Sequence, residues 1–194
     1  MNALAKTILI FSDGTGQIGG LRPDQRLSNI YKMYRAMRPG SDSPIKPTEQ
    51  VAFYDAGLGA GETDGITFRR IRNILSSAIG TGIDQNVIDC YAAIISHYEQ
   101  GDRICLFGFS RGAYTVRSLA NVLNLCGVPT KNSGGGLVPR FGPKLRKIAT
   151  DAVRYTYVAL PGGPWVRFAH HQSEPACRSN VPSQHGSDRS PASS

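Results

Sequence analysis

The stretch that decides the fold of this chain is Phe107-Gly108-Phe109-Ser110-Arg111-Gly112-Ala113-Tyr114. An apolar run at 104–107 precedes it and predicts a buried strand, and apolar residues at helical spacing follow it from Ala113 to Leu125. A strand, a Gly-x-Ser-x-Gly turn and a helix in this order are typical of a nucleophile elbow. The two glycines would let strand and helix approach closely, and the turn would expose the hydroxyl of Ser110. The sequence therefore favours a nucleophilic serine over a structural glycine-rich turn.

Strands and helices alternate along most of the chain. Apolar runs predict strands at 7–11, 51–55 and 104–107, and helical spacing predicts helices at 27–37, 66–79, 84–98 and 113–125. Either Ser28 or Asn29 is expected to cap the helix at 27–37. The alternation predicts an α/β fold, with a parallel sheet covered by helices on both faces and ligands at the carboxyl ends of the strands.

The composition limits what this chain can be. A length of 194 residues with 40% hydrophobic content suits one core, and the first apolar run, at 7–11, is too short for a signal peptide or a membrane span. We therefore expect a cytoplasmic protein with no transmembrane segment. The four cysteines have no metal-ligand spacing, so we expect no metal site and no cofactor.

The net charge of +8 is spread along the chain, with clusters at 69–72 and 140–147. Neither cluster is interleaved with aromatic residues as a base-stacking surface would be, which argues against a nucleic-acid partner. Attraction to anionic lipid headgroups is the better-supported alternative.

The character of the sequence changes near residue 158. Residues 159–194 are rich in Pro, Gly, Ser, His and Arg and have no apolar periodicity, so we expect a disordered tail after a domain at 5–158. This tail contains three of the four histidines of the chain, His170, His171 and His185.

Four motifs in order give the chain a family resemblance. They are 11–15 (Phe-Ser-Asp-Gly-Thr), 54–59 (Tyr-Asp-Ala-Gly-Leu-Gly), 101–104 (Gly-Asp-Arg-Ile) and 108–114. With them the chain resembles, over about 5–158, the DUF2235 α/β-hydrolase domain shared with Tle1-type phospholipase effectors of type VI secretion. The resemblance implies an esterase or phospholipase that forms an acyl-serine intermediate at Ser110. It also implies an oxyanion hole made by backbone N–H groups of Gly14 or Thr15 and of Arg111.

The resemblance stops before the family's triad is complete. The Trp-Asp-Thr-Val-like motif that carries the acid and the His-Ser-Asp-Val-Gly-Gly-like motif that carries the base are both absent. After Ser110, the acids are Asp151, Glu174 and Asp188, and the histidines are those of the tail. Asp151 is expected on a helix, where it does not resemble a strand-end triad acid. A truncated or frameshifted copy of the family domain is therefore expected.

Two residues before Ser110 need a separate interpretation. Asp13 either braces its own turn with its carboxylate or, as we favour, supports the site, because the first strand should end beside Ser110. His97 is expected to be structural. The sequence thus leaves two functions open, a serine ester hydrolase and an inactive fragment with a binding or regulatory role.

Overall fold

The structure is a computed structural model that describes residues 5–17, 19–20, 26–56, 83–132 and 134–159. Three strands and four helices alternate in it: β1 (Thr7–Ser12), α1 (Asn29–Met37), β2 (Gln50–Asp55), α2 (Ile83–His97), β3 (Arg103–Gly108), α3 (Arg111–Cys126) and α4 (Gly142–Ala159). The strands form a parallel sheet in the order β2-β1-β3. The predicted α/β fold is confirmed.

The central strand β1 supplies apolar side chains to both faces of the sheet. Ile8 and Ile10 lie on one face and Leu9 and Phe11 on the other, and all four are at most 2% exposed. A strand that is buried on both sides needs such a continuous apolar run rather than an alternating pattern. The run therefore predicted both the strand and its central place.

The two faces of the sheet carry different helices. On one face Ile8 and Ile10 belong to a core with apolar residues of α2, α3 and α4. On the other face Leu9 and Phe11 pack with Ile30 of α1 and with partly buried Tyr34. The ring of Phe11 stacks on that of Phe107 with centroids 4.9 Å apart. This arrangement brings the carboxyl ends of β1, β2 and β3 to one edge.

The predicted boundaries of the described elements agree with the observed ones to within two residues, except at α4. Helix α4 begins at Gly142, well before the helical stretch at 151–155 that the sequence indicated. The predicted helix at 66–79 and the glycine-rich loop before it lie outside the described residues, as does the predicted tail after Ala159. No helix in the described ranges is long and apolar enough to cross a membrane.

Candidate active site

Ser110 occupies the junction between β3 and α3 in a backbone conformation that side chains rarely adopt. Its φ is 54° and its ψ is −118°, and it is the one non-glycine residue with positive φ in the described part of the chain. Ser110 is the N-cap residue of α3, but its hydroxyl does not cap the helix. The side chain is therefore held at a strained turn without a capping task.

Two glycines allow this turn to form. A Cβ atom on Gly112 would overlap the carbonyl group of Ser12 and lie 2.8 Å from the Asp13 carbonyl oxygen. A Cβ atom on Gly108 would lie 2.6 Å from the carbonyl carbon of Gly112. Both spacings are too short for a real side chain, so α3 can start this close to β1 and β3 only with glycine at both positions.

The turn after β1 lies against the serine. A Cβ atom on Gly14 would be 3.3 Å from the Cβ of Ser110 and 2.9 Å from Cδ1 of Phe109. The N–H of Phe109 also donates to the Ser12 carbonyl oxygen at 3.1 Å. The backbone of residues 12–14 is thus adjacent to Ser110, as the motif order predicted.

The buried carboxylate of Asp13 stabilises this turn by hydrogen bonds. It is 1% exposed; its Oδ1 accepts from the N–H of Gly14 at 2.8 Å, and its Oδ2 accepts from the hydroxyls of Tyr54 at 2.9 Å and of Ser28. Burial raises the pKa of Tyr54, and the hydrogen bond to Asp13 raises it further. The carboxylate therefore holds the turn and the start of α1, and a supporting role of Asp13 at the site stays a prediction. The N–H of Gly14 is thus engaged, whereas that of Thr15 donates to no described residue.

A second buried carboxylate supports the same edge of the sheet. Asp55, at the end of β2, accepts from the hydroxyl of Ser12 at 2.7 Å and from the side-chain amide of Asn86 at 2.9 Å, and its carbonyl accepts from the N–H of Asp13 at 2.9 Å. Burial raises the pKa of Asp55, while these two side-chain donors and the charge of Arg111 oppose the rise. Sequence reasoning missed Ser12 and Asn86.

The side chain of Arg111 is 6% exposed. Burial lowers the pKa of its guanidinium group, and the nearby carboxylate of Asp55 opposes that change. Arg111 therefore links the start of α3 electrostatically to the end of β2. Its side chain therefore lies within the packed junction of β2 and α3.

Two exposed aromatic residues lie near Ser110 in the sequence. Phe109 is 55% exposed and Tyr114 is 45% exposed, one before the serine and one a helical turn after it. Both are large apolar side chains at the rim of the turn, where an apolar part of a ligand could contact them.

The structure brings none of the described acid or base candidates to Ser110. Asp151 lies on the exposed side of α4, where its carboxylate pairs with Lys147 at 2.6 Å. His97 ends α2 near Lys6 and Arg140, at the amino end of the sheet; burial lowers its pKa, and those two positive charges lower it further. His170, His171, His185, Glu174 and Asp188 lie outside the described residues. No cluster of metal-binding side chains occurs within the described ranges.

Comparison with known proteins identifies a family and a yeast relative. Residues 6–141 match the family described as "T6SS, Phospholipase effector Tle1-like, catalytic domain". A Saccharomyces cerevisiae protein named "Uncharacterized protein YEL023C" is 32% identical over 133 residues, which are 65% of this chain and 18% of that protein. The chain thus matches under a fifth of the yeast protein's length. No solved structure matches the chain significantly. Because the family match spans most of the chain, this protein belongs to the Tle1-like phospholipase effector catalytic domain family.

Proposed function

We propose that this chain carries the nucleophile and oxyanion half of a serine ester hydrolase site, with Ser110 as the nucleophile. The observation that carries the proposal is the positive φ of Ser110 at the start of α3, directly beside the Gly14 turn. A strained serine at a strand-to-helix turn presents its hydroxyl above the sheet and next to backbone donors.

Two backbone N–H groups would stabilise the oxyanion of the tetrahedral intermediate. The N–H of Arg111 is the first of α3, where the helix dipole favours negative charge. On the β1 side we assign the second donor to Thr15, since the N–H of Gly14 already donates to Asp13. The hydroxyl of Thr15 is also buried without a hydrogen-bond partner in the described ranges, so it could serve the same ligand. Such preorganised donors contribute on the order of 3 kcal/mol each to the barrier reduction.

The reaction would proceed in two steps. Oγ of Ser110 attacks the ester carbonyl, a bond forms between Oγ and the acyl carbon, and the alcohol leaves with a proton. Water then cleaves the acyl-serine bond, which releases the carboxylic acid and regenerates the hydroxyl of Ser110. Both steps need a base that first accepts the serine or water proton. The carboxylates of Asp13 and Asp55 already accept hydrogen bonds from neighbouring groups, so we assign neither of them as the base.

The substrate would be a carboxylic ester with an apolar acyl chain, and a phospholipid in particular. The family supports this class, and the exposed rings of Phe109 and Tyr114 provide an apolar rim for an acyl chain. We propose no cofactor and no nucleic-acid partner. The expected cytoplasmic location stays a prediction, as does export without a signal peptide if the chain acts as an effector.

One observation favours the second candidate function, a binding or regulatory role without turnover. His97, the one histidine within the described ranges, lies at the opposite end of the sheet from Ser110. Loss of the base in a serine hydrolase lowers turnover about a millionfold. Weak or undetectable turnover is therefore expected unless a histidine of the tail reaches the site.

A fluorophosphonate probe tests the nucleophile without requiring complete turnover. Wild type, Ser110→Ala and the matched control Ser43→Ala are treated with the probe and examined by intact mass. We expect slow, single labelling of wild type and of Ser43→Ala, and none of Ser110→Ala. Equal labelling of all three proteins would remove Ser110 from the mechanism.

An ester assay then separates the two functions. The same three proteins are tested with p-nitrophenyl butyrate and with a phospholipid. Turnover near one per second that disappears in Ser110→Ala would establish an enzyme and require a base from the tail. Labelling without turnover would support the binding or regulatory role.

A further inference from the structure

The two most exposed large apolar side chains among those described lie four residues apart in the connection between α3 and α4. Leu137 is 78% exposed and Phe141 is 77% exposed, whereas the next one, Phe109, is 55% exposed. Both belong to the segment 131–141, which we call the α3–α4 loop. Exposed apolar side chains of this size, when grouped, mark a surface that meets an apolar partner.

The loop is held in one conformation by its own hydrogen bonds. Lys131 and Leu137 form an antiparallel bridge, and the N–H of Asn132 donates to the Gly136 carbonyl oxygen at 2.8 Å. The side-chain oxygen of Asn132 accepts from the N–H groups of Gly134 and Gly136 at 3.1 and 2.9 Å. The exposed Leu137 therefore follows directly on backbone that these hydrogen bonds fix at residues 132 and 134–136.

Two neighbouring residues anchor the loop to the domain. Val138 is 5% exposed and belongs to the main core. Nη1 of Arg140 donates to three carbonyl oxygens at the end of α2, those of Ile95, Ser96 and Tyr98, at 3.0, 3.3 and 2.6 Å. Residues 138 and 140 point inward while residues 137 and 141 point outward. The domain thus displays the two apolar side chains on a fixed base.

The charged residues in the chain segment that contains the loop all have one sign. From residue 103 to residue 150 the chain contains eight Lys and Arg residues and no Asp or Glu. Lys131, opposite Leu137 in the bridge, and Lys144, one turn from Phe141, are exposed and form no ion pair with any described residue. Arg146 and Lys147 are paired with Asp89 and Asp151. Lys131 and Lys144 therefore place two positive charges close in sequence to the exposed apolar residues Leu137 and Phe141.

We propose that the α3–α4 loop is a docking surface for anionic membranes. Leu137 and Phe141 would enter the interface between headgroups and acyl chains, and Lys131 and Lys144 would contact the anionic headgroups. Apolar side chains with lysines close in sequence match this partner in both charge and hydrophobicity. The overall charge of +8 would add to the attraction at low ionic strength.

This surface is separate from the candidate active site. Arg140 ties the loop to the end of α2, where Tyr98 precedes β3, so the loop lies at the amino end of the sheet. Ser110 lies at the carboxyl end. The loop would therefore hold the domain on a membrane rather than deliver the scissile ester, and the proposal does not depend on the role of Ser110.

Vesicle sedimentation with the full chain tests the proposal. Vesicles of phosphatidylcholine with 30% phosphatidylglycerol are compared with pure phosphatidylcholine in wild type, Leu137→Ser/Phe141→Ser and Lys131→Gln/Lys144→Gln. Lys32→Gln/Lys46→Gln, two exposed lysines elsewhere, and Met33→Ser, an exposed apolar residue of α1, are the matched controls. Thermal melting confirms that each variant folds.

We expect wild type to bind the anionic vesicles and to lose binding at high salt. Each lysine near an anionic surface contributes about 1 kcal/mol, so the lysine pair should lower the partition coefficient about 30-fold. The apolar pair should lower it by at least about tenfold, and the controls by less than about threefold. The proposal would be overturned if wild type does not bind anionic vesicles. It would also be overturned if neither loop variant weakens the binding more than its control does. A wild-type dimer that the apolar pair converts to a monomer, without vesicle binding, would overturn it in favour of a protein interface.

Discussion

At the scale of the residue, the arrangement around Ser110 combines a strained backbone with very close packing. A φ of 54° in a residue other than glycine costs on the order of 1–3 kcal/mol of backbone strain. Such a conformation persists only where the surrounding structure holds it. Here the N–H of Gly112 donates to the carbonyl oxygen of Phe109 at 2.8 Å, and that of Phe109 donates to Ser12 at 3.1 Å. These hydrogen bonds, with the close approach of Gly112 to β1, hold the turn.

Substitution of Gly112 tests this packing. We expect Gly112→Val to destabilise the domain by about 3 kcal/mol or more, because its side chain would overlap the backbone of Ser12, which cannot rotate away. In a chain of this length that loss lowers the melting temperature by at least about 6 °C. Gly134→Ala is the control, since its Cβ would meet only Oδ1 of Asn132 at 3.5 Å. Equal melting of wild type and Gly112→Val would show that α3 does not approach β1 this closely.

The residue-scale features that the sequence predicted are the local ones. The spacing of Gly108, Ser110 and Gly112, with an apolar run before it and apolar residues at helical spacing after it, was sufficient to place the serine between a strand and a helix. The contacts of Tyr54 with Asp13 and of Asn86 with Asp55 join residues 41 and 31 positions apart. No local pattern encodes such a pair, because it depends on which strands become neighbours in the sheet.

At the scale of the element, Ser28 connects helix α1 to the candidate site. Its hydroxyl oxygen accepts from the N–H of Tyr31 at 3.0 Å, which caps the helix, and its hydroxyl also donates to Oδ2 of Asp13. The start of α1 and the turn after β1 therefore share one side chain. The sequence had left the cap open between Ser28 and Asn29, and the structure assigns it to Ser28.

Ser28→Ala should therefore cost more than an ordinary cap. Loss of the cap removes about 1 kcal/mol, and loss of the donor to a buried carboxylate removes about 1–3 kcal/mol more. Urea unfolding should show a total of about 2–4 kcal/mol, with most of it restored in Ser28→Thr. Ser43→Ala, which removes only an acceptor for the N–H of Ile45 at 3.2 Å in a loop, should cost under about 1 kcal/mol. Similar losses in the two alanine variants would contradict the coupling.

The element that the sequence predicted least well is α4. Its first residues are Gly142 and Pro143, which are typical of a turn, yet Pro is tolerated in the first turn of a helix because that N–H has no helical partner. The apolar side chains of Leu145, Ala149, Ala152 and Val153 lie at helical spacing and are buried against α2 and α3. Packing against α2 and α3 therefore lets the helix begin at Gly142, although the first two residues alone would predict a turn.

At the scale of the whole molecule, one ion pair ties the starts of two strands together. Asp102, just before β3, accepts from the N–H of Lys6 at 3.0 Å and from its Nζ at 2.5 Å, and its side chain is 3% exposed. Burial alone would raise the pKa of Asp102. The hydrogen bonds from Lys6 and from the N–H of Glu99 outweigh it, so the pKa lies below its ordinary value.

This lowered pKa makes stability depend on pH in a defined direction. The contribution of Asp102 is complete above its unfolded-state pKa, which is about 3.9, and it is lost as the pH falls through the lower folded-state value. We expect Asp102→Asn to be less stable than wild type at pH 7 by about 1–3 kcal/mol, and the difference to shrink towards pH 2. Urea unfolding at a series of pH values measures it, with Asp42→Asn, whose partner Arg38 is at the surface, as the control. A difference that grows as the pH falls would contradict the assignment.

The largest question at this scale is whether residues 160–194 contribute to the domain that ends with α4. Their composition predicts no packed structure, whereas α2, α3 and α4 already bury a common core without them. We therefore expect a chain that ends at Ala159 to melt within about 2 °C of the full chain.

We also expect the fluorophosphonate probe to label Ser110 of this shortened chain at an unchanged rate, because nothing in the tail sequence would hold His170, His171 or His185 beside the hydroxyl. A fall in labelling of tenfold or more at unchanged melting temperature would contradict this and assign the base to the tail. The single variants His170→Gln, His171→Gln and His185→Gln would then identify the histidine, since only the one that acts as base should reproduce the loss.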